Sequence, residues 1–591
     1  MLSMIDAPRT PRVAIFAELL LAAVLTAACG DSTTGARDAG PGDAAAMDAA
    51  PSDAGAQDAG ADGGAAACVP HGDDGPWLSV TDQGLALGLQ DRLRQVRGVA
   101  ADDFDLDGDT DIYVTNWRDR PMLYVNQGDG TFIEHPAPPT TGFDWGGALG
   151  DYDSDGDPDL FVACGGYTDE CPNALFRNDG ADPMTSLPVF TDVTAEAGVA
   201  GPPTESVGGA WADYDADGDL DLFVPCLAGL DETSGLLVDA PDQLYRNEGD
   251  GTFTEVAEAA GVAAPGNPRQ AAWLDYDEDG FPDLYIPRYA QPNSLFHNRG
   301  DGTFEDVTDE MLAEPLAAWG VLSEDFNGDG HLDLLVSGHS TITTGPDGMP
   351  VVQEEEHGLY LNDGAGWFVD ATTGTGLNDP DDPSHAIRTM GLQTSDMDLD
   401  GFLEVVFGNG STAGGERNAL GSFAPGPSGL RWIDRSAVID LPAPDDGLDP
   451  PFPPYPYRTH GMAFFDYDGD GDVDLFVGNG GHGADEPNQL LRNDGLDTGH
   501  WVRIDLRGTR DNRDAVGAVV RVSDGPAGAS SWEVFRHVHQ CSGFNSSQER
   551  IQRIGTGACG GPYHVTVRWP GGGLQEVGAV PEGRTTTIVQ E

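Results

Sequence analysis

A nine-residue acidic loop, Asp-x-Asp-x-Asp-Gly-x-x-Asp, recurs seven times between residues 103 and 474. Positions 1, 3, 5 and 9 of each copy offer hard oxygen ligands at alternating spacing, which is typical of a calcium site. Two copies vary, because Asn327 replaces an aspartate in the fifth and Glu404 replaces the last aspartate in the sixth. The candidate ligands at these positions are Asp103, Asp105, Asp107 and Asp111; Asp151, Asp153, Asp155 and Asp159; Asp213, Asp215, Asp217 and Asp221; Asp275, Asp277, Asp279 and Asp283; Asp325, Asn327, Asp329 and Asp333; Asp396, Asp398, Asp400 and Glu404; and Asp466, Asp468, Asp470 and Asp474.

Position 6 of the loop is glycine in every copy. A tight turn around an ion favours glycine, because glycine adopts a positive φ at little cost. Position 7 varies in chemistry, so we expect its backbone carbonyl to be the ligand. The residues at position 7 are Asp109, Asp157, Asp219, Phe281, His331, Phe402 and Asp472. A single copy would fit a solvated acidic turn equally well, but seven copies in register predict about seven calcium sites.

The elements that must position these loops are short strands. Each repeat reads as four extended segments separated by Gly, Asn and Asp turns, most clearly at 208–213, 222–224, 243–247 and 251–256. Four strands per unit predict the blades of a β-propeller. The seventh repeat lacks its fourth segment, but a spare segment at Pro76–Thr81 precedes the first repeat. We therefore predict an all-β, seven-bladed propeller closed by an N-terminal strand.

The acidic loops and the blade pattern resemble the FG-GAP and VCBS repeats of integrin-α-type propellers, over roughly residues 76–495. The resemblance implies calcium bound between the first two strands of a blade. Most blades of such propellers lack a complete loop, whereas all seven repeats retain one in this chain.

From about residue 499 the acidic loops stop, and alternating segments predict a small β domain. The stretches 508–522, 542–548 and 567–573 resemble the ASPIC/UnbV domain, found after VCBS-type repeats in cartilage-acidic-protein-like proteins. That resemblance implies no particular reaction. Arg510, Asn512, Arg513 and Asp514 form either a ligand-recognition patch or a loop that is solvated or docks on the acidic ring, and we favour the second interpretation.

The N-terminal residues predict export. Two arginines and an apolar stretch lead to Leu25-Thr26-Ala27-Ala28-Cys29, which is similar to the lipobox of bacterial lipoproteins and predicts lipidation at Cys29; ordinary cleavage is the alternative. The following Ala/Gly/Asp-rich residues cannot form a core. We predict a signal peptide at 1–29, a disordered tether at 30–70, the propeller at 71–498 and the ASPIC/UnbV domain at 499–591. The expected location is the bacterial outer membrane or cell surface, and alternatively the periplasm or the medium.

Six further cysteines suggest disulfides in an oxidising compartment. Proximity in the sequence favours Cys164 with Cys171 and Cys541 with Cys559. Cys68 and Cys226 remain, either as a pair or as buried thiols.

A net charge of -71 argues against nucleic acids and anionic lipid headgroups as direct partners. The sequence contains no nucleophile elbow, zinc-protease motif, Walker loop or Rossmann fingerprint. We therefore expect a binding module instead of an enzyme: a calcium-stabilised, surface-anchored propeller that binds a protein or glycan through the face opposite the acidic loops. The alternative is a secreted hydrolase or other enzyme that uses a propeller cleft.

Some histidines and tryptophans are weaker candidates for chemistry. His460 and His482 flank the seventh loop and its strand, and His537 and His539 alternate on one predicted strand, where we expect an exposed face. The tryptophans near first strands fit either a carbohydrate groove or packing between blades, and we favour packing. They are Trp145, Trp211, Trp273 and Trp319.

Overall fold

The computed structural model describes residues 78–591 with gaps at 90–94, 118, 141–142, 166–170, 203, 231–236, 239, 310, 315–316, 345–349, 380–387, 412–413, 416, 427–428, 440–457, 481–485, 496–498 and 540–545. The predictions for the signal peptide, Cys29, the tether and Cys68 lie outside the described residues. Within the described part, no helix has the length and apolar character needed to cross a membrane.

The described residues of the acidic region form seven antiparallel sheets that each contain a path of four strands. In blade 6 a fifth short strand, Gly414–Gly415, pairs beside this path. In blades 1 to 4 the strands are Val96–Asp102, Asp111–Asn116, Met122–Asn126 and Phe132–His135; Asp144–Gly150, Asp159–Cys164, Ala174–Ala181 and Pro188–Asp192; Ala210–Ala212, Asp221–Val224, Gln243–Asn247 and Phe253–Glu255; and Ala272–Leu274, Asp283–Ile286, Ser294–Asn298 and Phe304–Asp306. In blades 5 to 7 they are Ala318–Glu324, Asp333–Gly338, Gly358–Asn362 and Phe368–Asp370; Thr389–Ser395, Glu404–Ser411, Ala419–Gly426 and Gly429–Asp434; and Thr459–Phe465, Asp474–Asn479, Gln489–Asn493 and Val80–Asp82.

The first strand of each blade packs against the first strand of the next, and blade 7 returns to blade 1. The ring closes as predicted, because Val80–Asp82 pairs antiparallel with Gln489–Asn493 and supplies the last strand of blade 7. This strand overlaps the end of the predicted segment Pro76–Thr81, of which residues 76–77 lie outside the described residues. The all-β propeller is therefore confirmed.

Apolar side chains fill the space between neighbouring blades. Trp211 packs with Tyr152 and Phe253 between blades 2 and 3, and Trp273 packs with Phe304 between blades 3 and 4. Because both faces of a blade are covered in this way, the three residues after position 9 in each second strand are all apolar, as in Ile112-Tyr113-Val114. Packing is therefore the correct interpretation for these two tryptophans.

Smaller elements decorate the ring. The helices are Thr194–Ala197, Ala257–Ala260 and the 3-10 turn Ser436–Val438; the further strands are Thr204–Ser206, Cys226–Leu230, Leu237–Val238, Ser340–Thr344, Pro350–Glu354 and Gly414–Gly415.

The C-terminal residues form two sheets. One has the order Gln552–Gly555, Trp501–Arg507, Thr585–Val589, and the other has the order Glu533–His537, Val519–Ser523, Tyr563–Arg568, Leu574–Val580. Residues Val69–Glu591 make up one compact unit, so this small β domain and the ring are packed together.

The disulfide prediction is confirmed for Cys164 and Cys171, whose Cα atoms lie 5.7 Å apart. Cys559 is also disulfide-bonded, and its predicted partner Cys541 lies outside the described residues. Cys226 is a buried free thiol.

Candidate metal centres

Each acidic loop is fixed at its end by the position-9 carboxylate. In the first loop, the backbone N–H groups of Phe104 and Asn126 donate to Asp111 at 3.0 and 2.8 Å, and the side chain of Asp111 is fully buried. The same two bonds recur at position 9 of the second loop, where Tyr152 and Asn178 donate to Asp159. This carboxylate therefore ties the loop to the second and third strands of its own blade.

In six blades, an asparagine on the third strand also bonds to the acidic loop of the previous blade. The side-chain amide of Asn178 donates to the Phe104 carbonyl of blade 1, and that of Asn247 donates to the Tyr152 carbonyl of blade 2. Equivalent bonds come from Asn126, Asn298, Asn362 and Asn493. The sequence pattern alone did not predict this role, although the asparagine recurs at a fixed place in six of the third-strand segments.

The start of the loop is wound tightly around the position-1 carboxylate. In the first loop the N–H groups of Asp107 and Gly108 donate to Asp103 at 3.0 and 2.9 Å. Gly108 has φ 101°, which supports the prediction that position 6 needs glycine, and Leu106 at position 4 has φ 60°. The left-handed conformation at position 4 was not evident from the sequence, because that position carries Leu, Ser, Ala, Glu or Gly in different copies.

The loop side chains converge as a cation site requires. In each of the first three loops, carboxylate oxygens from positions 1, 3 and 9 lie within 4.8 Å of one another. In the fourth loop His297, on the third strand, approaches Asp283 at 3.1 Å and Asp277 at 3.6 Å, a neighbour that the sequence pattern did not reveal.

Several of these oxygens are buried without a hydrogen-bond donor among the described residues. They are Asp105 Oδ1 and Asp215 Oδ1 at position 3, Asp275 Oδ1 and Asp466 Oδ1 at position 1, and Glu404 Oε1 at position 9. A buried carboxylate oxygen that accepts no hydrogen bond is costly unless a cation neutralises it. The donor set consists of hard oxygens alone, so the residues fit calcium.

Burial and mutual repulsion raise the pKa of these carboxyl groups. Burial first, then the neighbouring loop carboxylates, raise the pKa of Asp111 and Asp283 to about 9 and that of Asp333 to about 8. Burial and the neighbouring carboxylates also raise the pKa of Asp159, Asp221 and Glu404 well above the ordinary value. A bound divalent cation would remove this penalty, since it favours the ionised carboxylates.

Two position-7 side chains contact residues outside their own loop. His331 Nδ1 lies 2.7 Å from Glu278 Oε1, and the ring of Phe281 lies against Gly300. This arrangement agrees with the expectation that only the backbone of position 7 is available to an ion.

The C-terminal domain covers the face of the ring that carries the loops. Arginines of this domain reach the position-1 carboxylates of four loops, and in each case the guanidinium meets the Oδ2 atom. The closest pairs are Arg513 with Asp151 at 3.3 Å, Arg568 with Asp275 at 3.6 Å, Arg536 with Asp396 at 2.7 Å and Arg553 with Asp466 at 3.1 Å. Asp466 is met by two arginines, because Arg503 also lies 3.8 Å from its Oδ2 atom. The near-neutral domain therefore docks on the acidic ring through charge complementarity.

This docking decides between the two interpretations of residues 510–514. Arg513 also donates to the Ser154 carbonyl, Asp514 accepts the N–H of Asp151 at 2.9 Å, and Asn512 is buried and bonded to Val516 within its own loop. Arg510 is exposed near the C-terminus. The segment is thus a docking loop, as we favoured.

A segment of the domain also enters the middle of the ring. The backbone N–H of Ser547 donates to the Val99 carbonyl, and its carbonyl accepts the N–H of Ala101, both in blade 1. The side chain of Ser547 accepts the N–H of Leu149 in blade 2. The side chain of Ser546 accepts the N–H of Met462 at 3.2 Å. These contacts join the first strands of blades 1, 2 and 7.

The prediction that His537 and His539 lie on an exposed face is wrong. Both line a polar cavity of about 50 Å³ between the domain and the ring, and His539 Nε2 lies 4.0 Å from Glu324 Oε2. Their strand edge is covered by the ring, which the sequence of the small domain alone did not reveal. Burial lowers the pKa of His539 to about 4.

The opposite face of the ring carries arginines stacked on aromatic rings. The Arg97 guanidinium lies 5.3 Å from the rings of both Trp117 and Trp145, and Arg97 also contacts the buried His460. His482 lies outside the described residues, so its predicted approach to His460 stays a prediction. Trp145 is buried in a small aromatic cluster, in keeping with packing.

A second cluster on that face is more open. Arg269 lies 4.5 Å from the Trp319 ring and 5.2 Å from the Tyr289 ring, and His339 stacks on Trp319 at 4.7 Å. Trp319 and Tyr289 are both half-buried. Trp319 therefore packs against its neighbours on one side and leaves part of its ring exposed.

Comparison with known proteins supports the identification of both the repeats and the C-terminal domain. Four segments match the FG-GAP-like repeat model, at residues 103–162, 151–224, 234–286 and 287–336, and residues 508–591 match the ASPIC and UnbV model. The chain therefore contains FG-GAP-like repeats followed by an ASPIC and UnbV domain, as the resemblance predicted.

Among curated proteins, mouse cartilage acidic protein 1 is 27% identical over 502 residues, which is 80% of this chain and 70% of the mouse protein. The human protein is 29% identical over 324 residues, or 54% of this chain and 43% of its own length. The chain is homologous to these proteins. Among solved structures, an Agrocybe aegerita lectin that recognises terminal N-acetylglucosamine aligns with a TM-score of 0.36 at 17% identity, covering 58% of this chain and 80% of the lectin.

Proposed function

We propose that this chain is a calcium-loaded propeller that acts as a binding module for a protein or glycan partner. The loops would hold calcium through side-chain oxygens at positions 1, 3, 5 and 9 and the carbonyl at position 7. Calcium would supply positive charge to a ring whose chain carries a net charge of -71. The buried loop oxygens that lack hydrogen-bond donors support this role.

The choice of binding surface depends on one observation: the C-terminal domain covers the face of the ring that carries the acidic loops. Because the C-terminal domain occupies that face, the opposite face is the larger ring surface left for a partner. Half-buried Trp319 and Tyr289, held by Arg269, are suited to stack against a sugar ring or a flat side chain.

Binding would be tested with the purified chain immobilised in calcium and in chelator, probed with a glycan array and with surface extracts. We expect calcium-dependent capture that Trp319→Ala abolishes. Trp367 is a matched control, since it is 71% exposed and directly precedes the outer strand Phe368–Asp370 of blade 5. Capture that is lost in Trp367→Ala and kept in Trp319→Ala would contradict the proposed surface.

We also propose that the chain is exported and anchored by a lipid at Cys29. The lipobox-like residues before that cysteine support this location. Cell fractionation of the intact chain and of Cys29→Ala, with a labelled fatty acid, would test it. The intact chain should enter the membrane fraction with label, and equal distribution of the two proteins without label would contradict the anchor.

A further inference from the structure

The seven acidic loops fall into two groups according to their contact with the C-terminal domain. In loops 2, 4, 6 and 7 an arginine of the domain meets Oδ2 of the position-1 aspartate. In loops 1, 3 and 5 the position-1 residues are Asp103, Asp213 and Asp325. Within the described part of the chain, none of these three aspartates forms an ion pair with an arginine. The loop sequences alone do not predict this division.

Where an arginine meets a position-1 carboxylate, the two carboxylate oxygens have different partners. Asp466 Oδ2 accepts the Gly471 N–H at 3.1 Å and meets Arg553, while its buried Oδ1 has no donor among the described residues. Asp275 shows the same division, with Gly280 and Arg568 at Oδ2 and no donor at Oδ1. In loops 4 and 7, Oδ2 thus faces the domain and Oδ1 is left for a ligand inside the loop. In loop 2, Oδ1 of Asp151 accepts the N–H of Asp155 at 2.9 Å inside the loop, while Oδ2 meets Arg513.

A guanidinium and a divalent cation that share one carboxylate repel each other. The arginine also reduces the negative charge that attracts the cation, and both effects are strong where the pair is buried. The side chains of Arg536 and Arg553 are only 7% and 6% exposed, so solvent screens them poorly.

We propose that the C-terminal domain acts as an internal counter-cation that lowers the calcium affinity of loops 2, 4, 6 and 7, so that the chain has three tighter and four weaker sites. This inference rests on the proposed calcium binding. The sixth and seventh loops should be the weakest, because each meets a second arginine. Arg435 lies 3.1 Å from Asp398 in the sixth loop, and Arg503 lies 3.8 Å from Asp466 in the seventh. By linkage, filling the weaker sites loosens the hold of the domain on the ring.

The test is a competition between the calcium-loaded full chain and a chromophoric chelator, with the number and affinity of sites read from the titration. We expect three tighter and four weaker sites. Arg513 is the most exposed of the four arginines, so Arg513→Gln should disturb the fold least. That variant should bind calcium about threefold to tenfold more tightly at one weak site, giving four tighter and three weaker sites.

Two control variants separate charge from structure. Arg513→Lys keeps the charge and should keep the division of three and four. Arg507→Gln should also leave it unchanged, since Arg507 pairs with Asp505 inside its own domain. A merely structural role for Arg513 would weaken the site or leave it unchanged in Arg513→Gln, and either result would overturn the inference.

The unaltered chain provides its own test. Seven sites of one affinity would overturn the inference and leave the proposed calcium binding standing. A chain that carries no calcium at all would contradict the proposed function itself.

Discussion

The first and seventh acidic loops have the same sequence pattern and almost the same turn, but different surroundings. Gly108 and Gly471 have φ 101° and 102°. A Cβ added at Gly108 would meet nothing within 4 Å, whereas one at Gly471 would lie 2.9 Å from the Trp501 ring of the C-terminal domain. The pattern thus specifies how a loop winds, while a domain distant in sequence decides how each copy is covered.

The largest effect is expected from removing the calcium that both loops are proposed to bind. Chelation of calcium should lower the melting temperature sharply, because a site filled a hundredfold above its dissociation constant adds about 2.7 kcal/mol to stability. Calorimetric melts in calcium and in chelator at constant ionic strength would measure the change. An unchanged melt would remove the structural role of the cations from both loops.

A smaller effect, a difference in the stability lost on substituting the position-6 glycine, should distinguish the first loop from the seventh. Gly108→Ala and Gly471→Ala both place a side chain at a positive φ, which costs about 1 to 2 kcal/mol. Gly471→Ala should cost about 1 to 3 kcal/mol more, because its methyl group would press on Trp501. Urea unfolding of both variants in calcium would show the difference, and equal losses would mean that the domain does not sit tightly on the seventh loop.

The smallest effect is a pH dependence in the cation-depleted protein. Burial raises the pKa of Asp111 from 3.8 to about 9 and raises that of Asp474 strongly, so the folded state holds more protons than the unfolded state over that range. Stability in chelator should therefore be greatest near pH 4 and fall as pH rises toward 9. Saturating calcium should abolish the fall, since the loop carboxylates are then ionised in the folded state. A melting temperature that rises with pH in chelator would contradict the sign.

Much of the ring could be predicted from the sequence, because its repeats are local. The four segments, the glycine at position 6 and the closing strand at Val80–Asp82 all follow from spacing and turn residues. The relations between repeats were harder to predict. The amide of Asn178 bonds to a carbonyl 74 residues away, and nothing in either segment alone indicates that partner.

The docking of the C-terminal domain was predictable only in outline. Its near-neutral charge beside an acidic ring suggested contact, but the pairing of Arg536 with Asp396 spans 140 residues. The burial of His537 follows from the same contact. Such pairs depend on how two folded surfaces fit, which alternation along a strand does not encode.

The most direct test of this account is elemental analysis of the purified full chain after gel filtration in a buffer that contains calcium. The account predicts about seven calcium ions per molecule. The number should fall as the seven loops are disabled one at a time, by Asp→Asn changes at position 9 in six loops and by Glu404→Gln in the sixth loop. A well-ordered protein that leaves the column without calcium would contradict it.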